Sequence, residues 1–378
     1  MAKITNYWLF LFLLGNICMQ YQILTPFGNL FFYPLLALGV VSIAINMNTL
    51  LAHLNKYKFI GAYIVILWVY QFVFGLSHIH EGTWVYLIAK TTMLMMTVIA
   101  IEKTPEYYHS EFCKKFLLFC VVLITAGLVF FDSAGVNGRH VFGFGNPNAA
   151  GHLAVLTFAG MLMINPFVGK KWLSRGLMLV CLVAVLLTGS RSSAAMAVIA
   201  IFIRYGINKK LIIALVVCYM TATLALPSLG IHLIGIERFT ESVESGDLVS
   251  NRESEREAAI FMINENPIEG NGIMCPNSEG ANMISELGSH NTYLDWLKWF
   301  GIPLASLLIL YLVIDVLQIF FRYWKTQDEY IKFHLFVVVS TVLDCFFEGY
   351  IWGVNEMSNT IFFTSLAVLC KRKKYKVY

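Results

Sequence analysis

The sequence is poor in charged residues. Only 13% of its 378 residues are Asp, Glu, Lys or Arg, whereas 58% are hydrophobic and the mean hydropathy is +0.68. A soluble domain carries roughly 25% charged residues, so this composition excludes a soluble enzyme, a disordered chain and a secreted disulfide scaffold. Apolar runs of about 20 residues also argue against a β-barrel, whose strands alternate. The composition therefore predicts an all-α polytopic membrane protein.

Paired cysteines are missing as well. The chain has eight Cys, and no two of them show the CxxC spacing, so the sequence predicts neither a disulfide framework nor a structural zinc or redox site. The first apolar run has no small-residue cleavage site. We therefore expect it to remain as the first helix rather than to be removed as a signal peptide.

Twelve apolar stretches are long enough, with their flanks, to cross a membrane as helices. They lie near residues 7–24, 30–46, 59–76, 84–101, 116–131, 149–165, 173–188, 192–206, 211–230, 293–321, 333–348 and 357–370. Residues 231–289 interrupt the pattern with eleven acidic and three basic residues. We expect helices one to nine in residues 1–230, a large external loop at 231–289, and helices ten to twelve with a basic tail at 290–378, all in one membrane domain.

The basic residues predict the orientation of the chain. If both termini are cytoplasmic, 20 of the 27 Lys and Arg residues fall in cytoplasmic segments, as the positive-inside rule requires. The five basic residues left outside are all arginines: Arg139, Arg191, Arg238, Arg252 and Arg256. The planar guanidinium fork of Arg pairs bidentately with phosphate or carboxylate, although for Arg238 a weak exposed pair with the acidic loop is the simpler interpretation.

Two turns rich in Gly or Ser precede predicted helices. In GFGNPNAAG, residues 143–151, Asn148 can cap the next helix and exposed N–H groups can face an anion, but taken alone this motif is better explained as an ordinary loop with a good cap. In TGSRSS, residues 188–193, Arg191 lies at the positive end of a helix dipole, which suits an anion. A snorkelling Arg is the alternative, and it does not explain the small residues around Arg191.

The external loop contains a predicted helix over residues 252–264, which Pro267 and the following glycines end. Arg252, Arg256, Ala259 and Ile263 share one stripe of this helix. We expect the stripe to lie against the membrane domain and to direct both arginines at its outer mouth. A solvated helix with local Glu–Arg pairs is the alternative, and it leaves Pro267-x-x-Gly270-x-Gly272 unexplained.

The loop returns to the membrane through Ser289-His290-Asn291. With Ser289 as the N-cap, His290 would lie in the first turn of span ten, where the helix dipole keeps the ring neutral. A neutral His at a membrane surface can act as a general base, although a single His is more often only an interfacial hydrogen-bonding group. Glu348, one turn beyond Asp344, is a weaker candidate to orient a sugar or pair with an arginine. The His78-Ile79-His80-Glu81 sequence is better interpreted as a polar turn than as a metal site.

Together these motifs resemble those of the O-antigen ligase/polymerase superfamily. The matching features are GFGNPNAAGH before span six, TGSRSS opening span eight, an arginine followed at a distance by NPIEGNG, and SHNTYLDWLKWFG opening span ten. They cover roughly residues 139–301. No single motif is specific, so the resemblance rests on the order of the motifs, on their spacing and on their predicted location on the same side of the membrane.

The resemblance implies an inverting GT-C-type glycosyltransferase of the bacterial inner membrane. It would use undecaprenyl-diphosphate-linked glycans as donor and acceptor, without a metal or other cofactor. Arg191, Arg252 and His290 match family positions, the arginines for the diphosphate and His290 to activate or orient the acceptor hydroxyl. Where the family often has Trp, this chain has Arg256, which leaves open which loop arginine contacts the diphosphate.

Further candidate residues extend the set formed by Arg191, Arg252 and His290. Beside the catalytic candidate His290, we expect substrate or diphosphate contacts from Arg139, Arg191, Arg252, Arg256 and Asn291, and acceptor contacts from Asn146, Asn148 and Glu348. The expected partners are the lipid bilayer, a chain-length regulator and a flippase, and no nucleic acid is expected.

Three activities remain open at this point. A polymerase would join the growing chain to the next lipid-linked repeat, and the GNPN turn and modest length favour it. A ligase would transfer the polymer to lipid A core. A transporter of lipid-linked sugars is disfavoured, because transporters concentrate polar groups near the bilayer midplane, whereas the polar features here lie outside.

Overall fold

A computed structural model describes residues 2–131, 138–167, 169–221, 223, 234–235, 237–238, 240, 253–275 and 289–372. Within these ranges the chain is helical and forms no strand, apart from one isolated antiparallel bridge between Tyr21 and Phe144. The all-α class predicted from composition is therefore confirmed for the described part of the chain.

The long helices, numbered here in chain order, are α1 (Ala2–Gln20), α2 (Thr25–His53), α3 (Lys58–Val73), α4 (Thr83–Lys103), α5 (Glu106–Phe130), α6 (Pro147–Met163), α7 (Lys171–Leu187), α8 (Arg191–Tyr205), α9 (Lys209–Met220), α10 (Glu253–Glu265), α11 (Thr292–Tyr323), α12 (Glu329–Asp344) and α13 (Met357–Lys371). Each of the twelve apolar stretches overlaps one of these helices. The remaining helix, α10, is the one predicted in the external loop.

Four helical segments are long and apolar enough to cross a membrane: Gln22–Lys56, Thr83–Lys103, Glu106–Phe130 and Thr292–Tyr323. Together with the composition they define an α-helical membrane protein. The count of twelve spans and the GT-C architecture stay predictions.

The helices divide into a buried centre and an apolar outer layer. Helices α4, α6 and α13 bury most of their side chains, whereas α9 buries none of its described residues. On α2, Leu30 and Tyr33 are 67% and 63% exposed. Large apolar side chains exposed along whole helices would be unfavourable in water and suit contact with lipid chains.

Contacts between connecting segments gather at the two ends of the bundle. Segments predicted to be external contact one another, as when the Gln22 N–H donates to the Gly143 carbonyl. Segments predicted to be cytoplasmic do the same at the other end, where Lys56 Nζ lies 2.9 Å from Glu102 Oε1. This grouping matches the predicted alternation of the chain. Which end faces the cytoplasm stays a prediction.

The sequence after α10 docks on a kink in α11. Gly301 interrupts α11 with a φ of 71°, and the Ile302 N–H donates to the Pro267 carbonyl at 2.7 Å. At Gly270 an added Cβ would lie 2.3 Å from the Trp299 carbonyl oxygen, so only glycine permits this approach. Asn271 adds a bond from its N–H to the Lys298 carbonyl at 2.8 Å. The Pro-x-x-Gly-x-Gly motif is therefore the clamp that fixes α10 to α11.

Candidate functional site

The turn before α6 supplies a bridging asparagine. Asn146 caps α6 by accepting from the Asn148 N–H at 2.8 Å, so the predicted capping role of Asn148 is wrong. The Asn148 amide makes long-range contacts instead. It accepts from Arg139 Nη2 at 2.5 Å and donates to Glu348 Oε1 at 2.6 Å. One amide thus joins an arginine of this turn to a carboxylate beyond α12.

The turn between α7 and α8 places a second helix start beside the first. Ser190 caps α8 by accepting from the Ser193 N–H, and Arg191 is the first helical residue, as predicted. Gly151 of α6 lies so close that an added Cβ would come within 2.8 Å of Thr188 Oγ1. The positive ends of α6 and α8 therefore adjoin, which favours an anion at this place.

Two further arginines reach the same turn. Arg139 Nε donates to the Thr188 carbonyl at 2.8 Å, and Arg238 Nη1 donates to the Gly189 carbonyl at 3.0 Å. Together with Arg191, three of the five arginines predicted outside lie around one helix start. Arg238 was not among the predicted site residues. The sequence signal that could have added it to the predicted site was its place among the five arginines predicted to lie outside.

His290 precedes α11 instead of opening it. Asn291 caps the helix by accepting from the N–H groups of Tyr293 and Leu294. The predicted cap at Ser289 and the predicted place of His290 in the first turn are therefore both wrong. His290 has a left-handed backbone with a φ of 51°, which is uncommon for a residue other than glycine. The neutral ring predicted from a first-turn position therefore loses its basis.

The His290 ring lies between two carboxylates. Nδ1 is 3.3 Å from Glu348 Oε2, and Nε2 is 3.8 Å from Glu255 Oε2. The exposed fractions of these side chains are 21% for His290, 11% for Glu348 and 22% for Glu255, so solvent reaches all three. A ring held by one carboxylate at an accessible surface can hold or move a proton at a bound hydroxyl.

Helix α10 lies against this site through its predicted stripe. Ala259 and Ile263 are buried, and Arg256 Nη2 donates to the Phe346 carbonyl at 3.3 Å. Asn291 Nδ2 donates to the same carbonyl at 3.1 Å. These bonds hold α10 and the start of α11 on the segment that carries Glu348.

Three further residues complete the comparison with the predicted site. Arg252 falls outside the described residues, so its place stays a prediction. Glu255 was missed, although its spacing of four residues from Ala259 places it on the docked face of α10. Asp344 is buried below the site, with Oδ2 3.8 Å from His152 Nδ1.

The His78–Glu81 sequence is a structural turn. His80 Nε2 lies 2.7 Å from the Asn271 carbonyl, which ties this turn to the clamp on α11. Across the described residues, no group of three His, Cys, Asp or Glu side chains is arranged to hold a metal ion.

The fold and site define an α-helical membrane protein with arginines, a histidine and carboxylates gathered at one end of the bundle. Residues 176–309 match the family model described as O-antigen ligase, which confirms the resemblance to the O-antigen ligase/polymerase superfamily. The matched part includes Arg191, Arg256 and His290, and it supports an activity of the ligase or polymerase type. No curated protein matches the chain significantly.

Proposed function

We propose that this protein is a polysaccharide polymerase. It transfers a growing glycan from undecaprenyl diphosphate to the next lipid-linked repeat unit on the outer face of a bacterial inner membrane. The observation that carries the proposal is the placement of His290 and Glu348 beside the arginines around the adjoining starts of α6 and α8. Asn148 links the two groups through its bonds to Arg139 and Glu348.

The reaction needs the diphosphate to leave while its negative charge grows. Arg191, Arg139 and the loop arginines, Arg252 and Arg256, would hold that charge, together with N–H groups at the helix starts. Fixed guanidinium groups can stabilise such a leaving group without a metal ion. Asn291, the cap of α11, would complete this side of the site.

The acceptor hydroxyl would bind on the His290 side. Displacement of the diphosphate from the opposite face of the sugar inverts the anomeric configuration. His290 would activate or orient the hydroxyl, Glu348 would fix the ring through Nδ1, and Asn146 and Asn148 would contact the acceptor sugar. A donor that stays in the bilayer explains why such a site would lie at the ends of transmembrane helices.

A ligase is the second candidate, because the matching family model is described as O-antigen ligase. The same chemistry would then transfer the finished polymer to lipid A core. The two candidates differ in the acceptor and not in the diphosphate-binding arginines.

Deletion of the gene in its source bacterium, followed by gel analysis of the surface glycan, separates the two. Lipid A core carrying a single repeat unit would support the polymerase, whereas accumulation of free lipid-linked polymer would identify a ligase. Normal glycan in the deletion strain would contradict both. Complementation with the wild-type chain and with Arg191→Ala connects the result to this site, since the variant should insert in the membrane and fail to restore the glycan.

A further inference from the structure

Glu255 is placed to take part in the proposed reaction. It lies on the docked face of α10, and its Oε2 is 3.8 Å from His290 Nε2. The other ring nitrogen, Nδ1, is 3.3 Å from Glu348 Oε2. His290 therefore has a carboxylate at each nitrogen, one from the external loop and one from the segment after α12.

This arrangement limits the role of the ring. Carboxylates accept hydrogen bonds, so Nδ1 carries a hydrogen toward Glu348. An unprotonated Nε2 would set its lone pair against the Glu255 carboxylate, so the two carboxylates together favour a ring with hydrogen on both nitrogens. A ring in that state has no lone pair with which to remove a proton from a hydroxyl. It can only donate to one.

The distance on the Glu255 side is also informative. At 3.8 Å, Nε2 and Oε2 are too far apart for a direct hydrogen bond. A single oxygen atom beside this gap, about 2.8 Å from each of the two atoms, could bond to both groups, as bridging water does in many sites. That oxygen would accept from Nε2–H and donate its own hydrogen to Glu255, so its proton points at the carboxylate.

We propose that the acceptor hydroxyl bridges His290 Nε2 and Glu255 Oε2, and that Glu255 is the proton acceptor of the glycosyl transfer. The acceptor oxygen forms a bond to the anomeric carbon as the bond from that carbon to the diphosphate oxygen breaks. The electron pair leaves with undecaprenyl diphosphate. The hydroxyl proton moves to Glu255 and is later released to water, while His290 keeps both of its hydrogens and orients the acceptor.

The helix that carries Glu255 is anchored to the membrane domain. On the same helix, Ala259 is fully buried, and the neighbouring Arg256 is bonded to the Phe346 carbonyl. The clamp after α10 fixes the helix to the kink of α11. The carboxylate therefore faces His290 from a rigid element.

The inference rests on the proposed glycosyl transfer, and the test uses lipid-linked repeat units extracted from the deletion strain with the purified full-length protein in detergent. Glu255→Gln keeps the shape of the side chain and removes its basicity, so turnover should fall about 10²- to 10⁴-fold. Glu257→Gln, an exposed position on the same helix, is the matched control and should keep the wild-type rate.

Azide distinguishes a proton acceptor from a residue that only positions others. Azide is an anion and has no proton to lose, so Glu255→Ala supplied with azide should release undecaprenyl diphosphate and form the glycosyl azide of inverted configuration. Loss of activity without azide rescue would overturn the role of Glu255. Wild-type turnover of Glu255→Gln with inactive His290→Ala would overturn it as well and leave the proposed function standing. Activity in both His290→Ala and Arg191→Ala would instead reject the proposed function.

Discussion

The segment between α12 and α13 joins two ionisable sites of opposite character. Near its start, Glu348 contacts His290 and Asn148 at a surface that solvent reaches. Near its end, Glu356 is close to Lys90, and the Lys90 side chain is completely buried.

The contacts of Lys90 explain its burial. Its Nζ donates to the carbonyls of Ile351 and Gly353, at 2.5 and 3.0 Å, and to Asn359 Oδ1 at 2.6 Å. A buried ammonium is tolerated only with such partners. The two sites differ in burial, and this difference indicates different roles. The buried Lys90 site holds the segment in place, whereas the solvent-accessible His290 site can exchange protons with a bound molecule.

The largest expected effect is at the accessible end. In the proposed reaction His290 orients the acceptor, so for His290→Ala glycan polymerisation should fall at least about 10³-fold while the protein still inserts and purifies as wild type. Product is measured with lipid-linked repeat units in detergent. His53→Ala, a partly exposed histidine at the opposite end of the bundle, is the matched control. Product formation by the His290 variant would show that the accessible site around His290 takes no part in the reaction.

The next effect concerns the carboxylate that holds the ring. Glu348→Gln can still accept from His290 but loses its charge, and a hydrogen bond to a charged group contributes about 1.5–3 kcal/mol. Turnover should therefore fall roughly 10- to 100-fold, with normal thermal stability. A variant with wild-type turnover would show that Glu348 only links Asn148 to the segment.

At the sealed end the expected loss is in stability. Lys90→Met leaves three buried acceptors without their donor, and each costs roughly 1–3 kcal/mol. Thermal unfolding in detergent should occur at a clearly lower temperature, whereas turnover per folded molecule should fall less than in His290→Ala. Lys115→Met, at an exposed position, serves as the control. Equal unfolding temperatures for wild type and Lys90→Met would refute the anchoring role.

The smallest effect is a pH dependence. Burial, partly offset by the charge of Lys90, raises the pKa of Glu356 to about 8, from about 4.3 in an unfolded chain. The folded protein keeps a proton that the unfolded chain loses, so this group's contribution to stability is complete below about pH 4.3 and is lost as the pH rises to about 8. Glu356→Gln should flatten this part of the profile. Parallel unfolding profiles of the two proteins between pH 5 and 8 would argue against it.

The sequence predicts the helices, and which connecting segments lie at the same end of the bundle, better than it predicts individual side-chain contacts. Periodicity and apolar runs located each helix, and the stripe on α10 predicted the burial of Ala259 and Ile263. The prediction of the α6 cap was wrong because Asn146 and Asn148 have equal intrinsic capping ability. Pro147 between them, which favours the first helical position, was the signal for Asn146. The place of Glu255 depends on the clamp between Gly270 and α11, which involves residues far apart in the chain.

That clamp also bears on how the site works through a catalytic cycle. Because backbone bonds join the sequence after α10 to both sides of the Gly301 kink, α10 cannot swing away without disrupting α11. We therefore expect the backbone of α10 to keep its place beside His290 when substrate binds. For the proposed glycosyl transfer, the reorganisation energy of the α10 backbone would then be met once, during folding, and not again at each turnover.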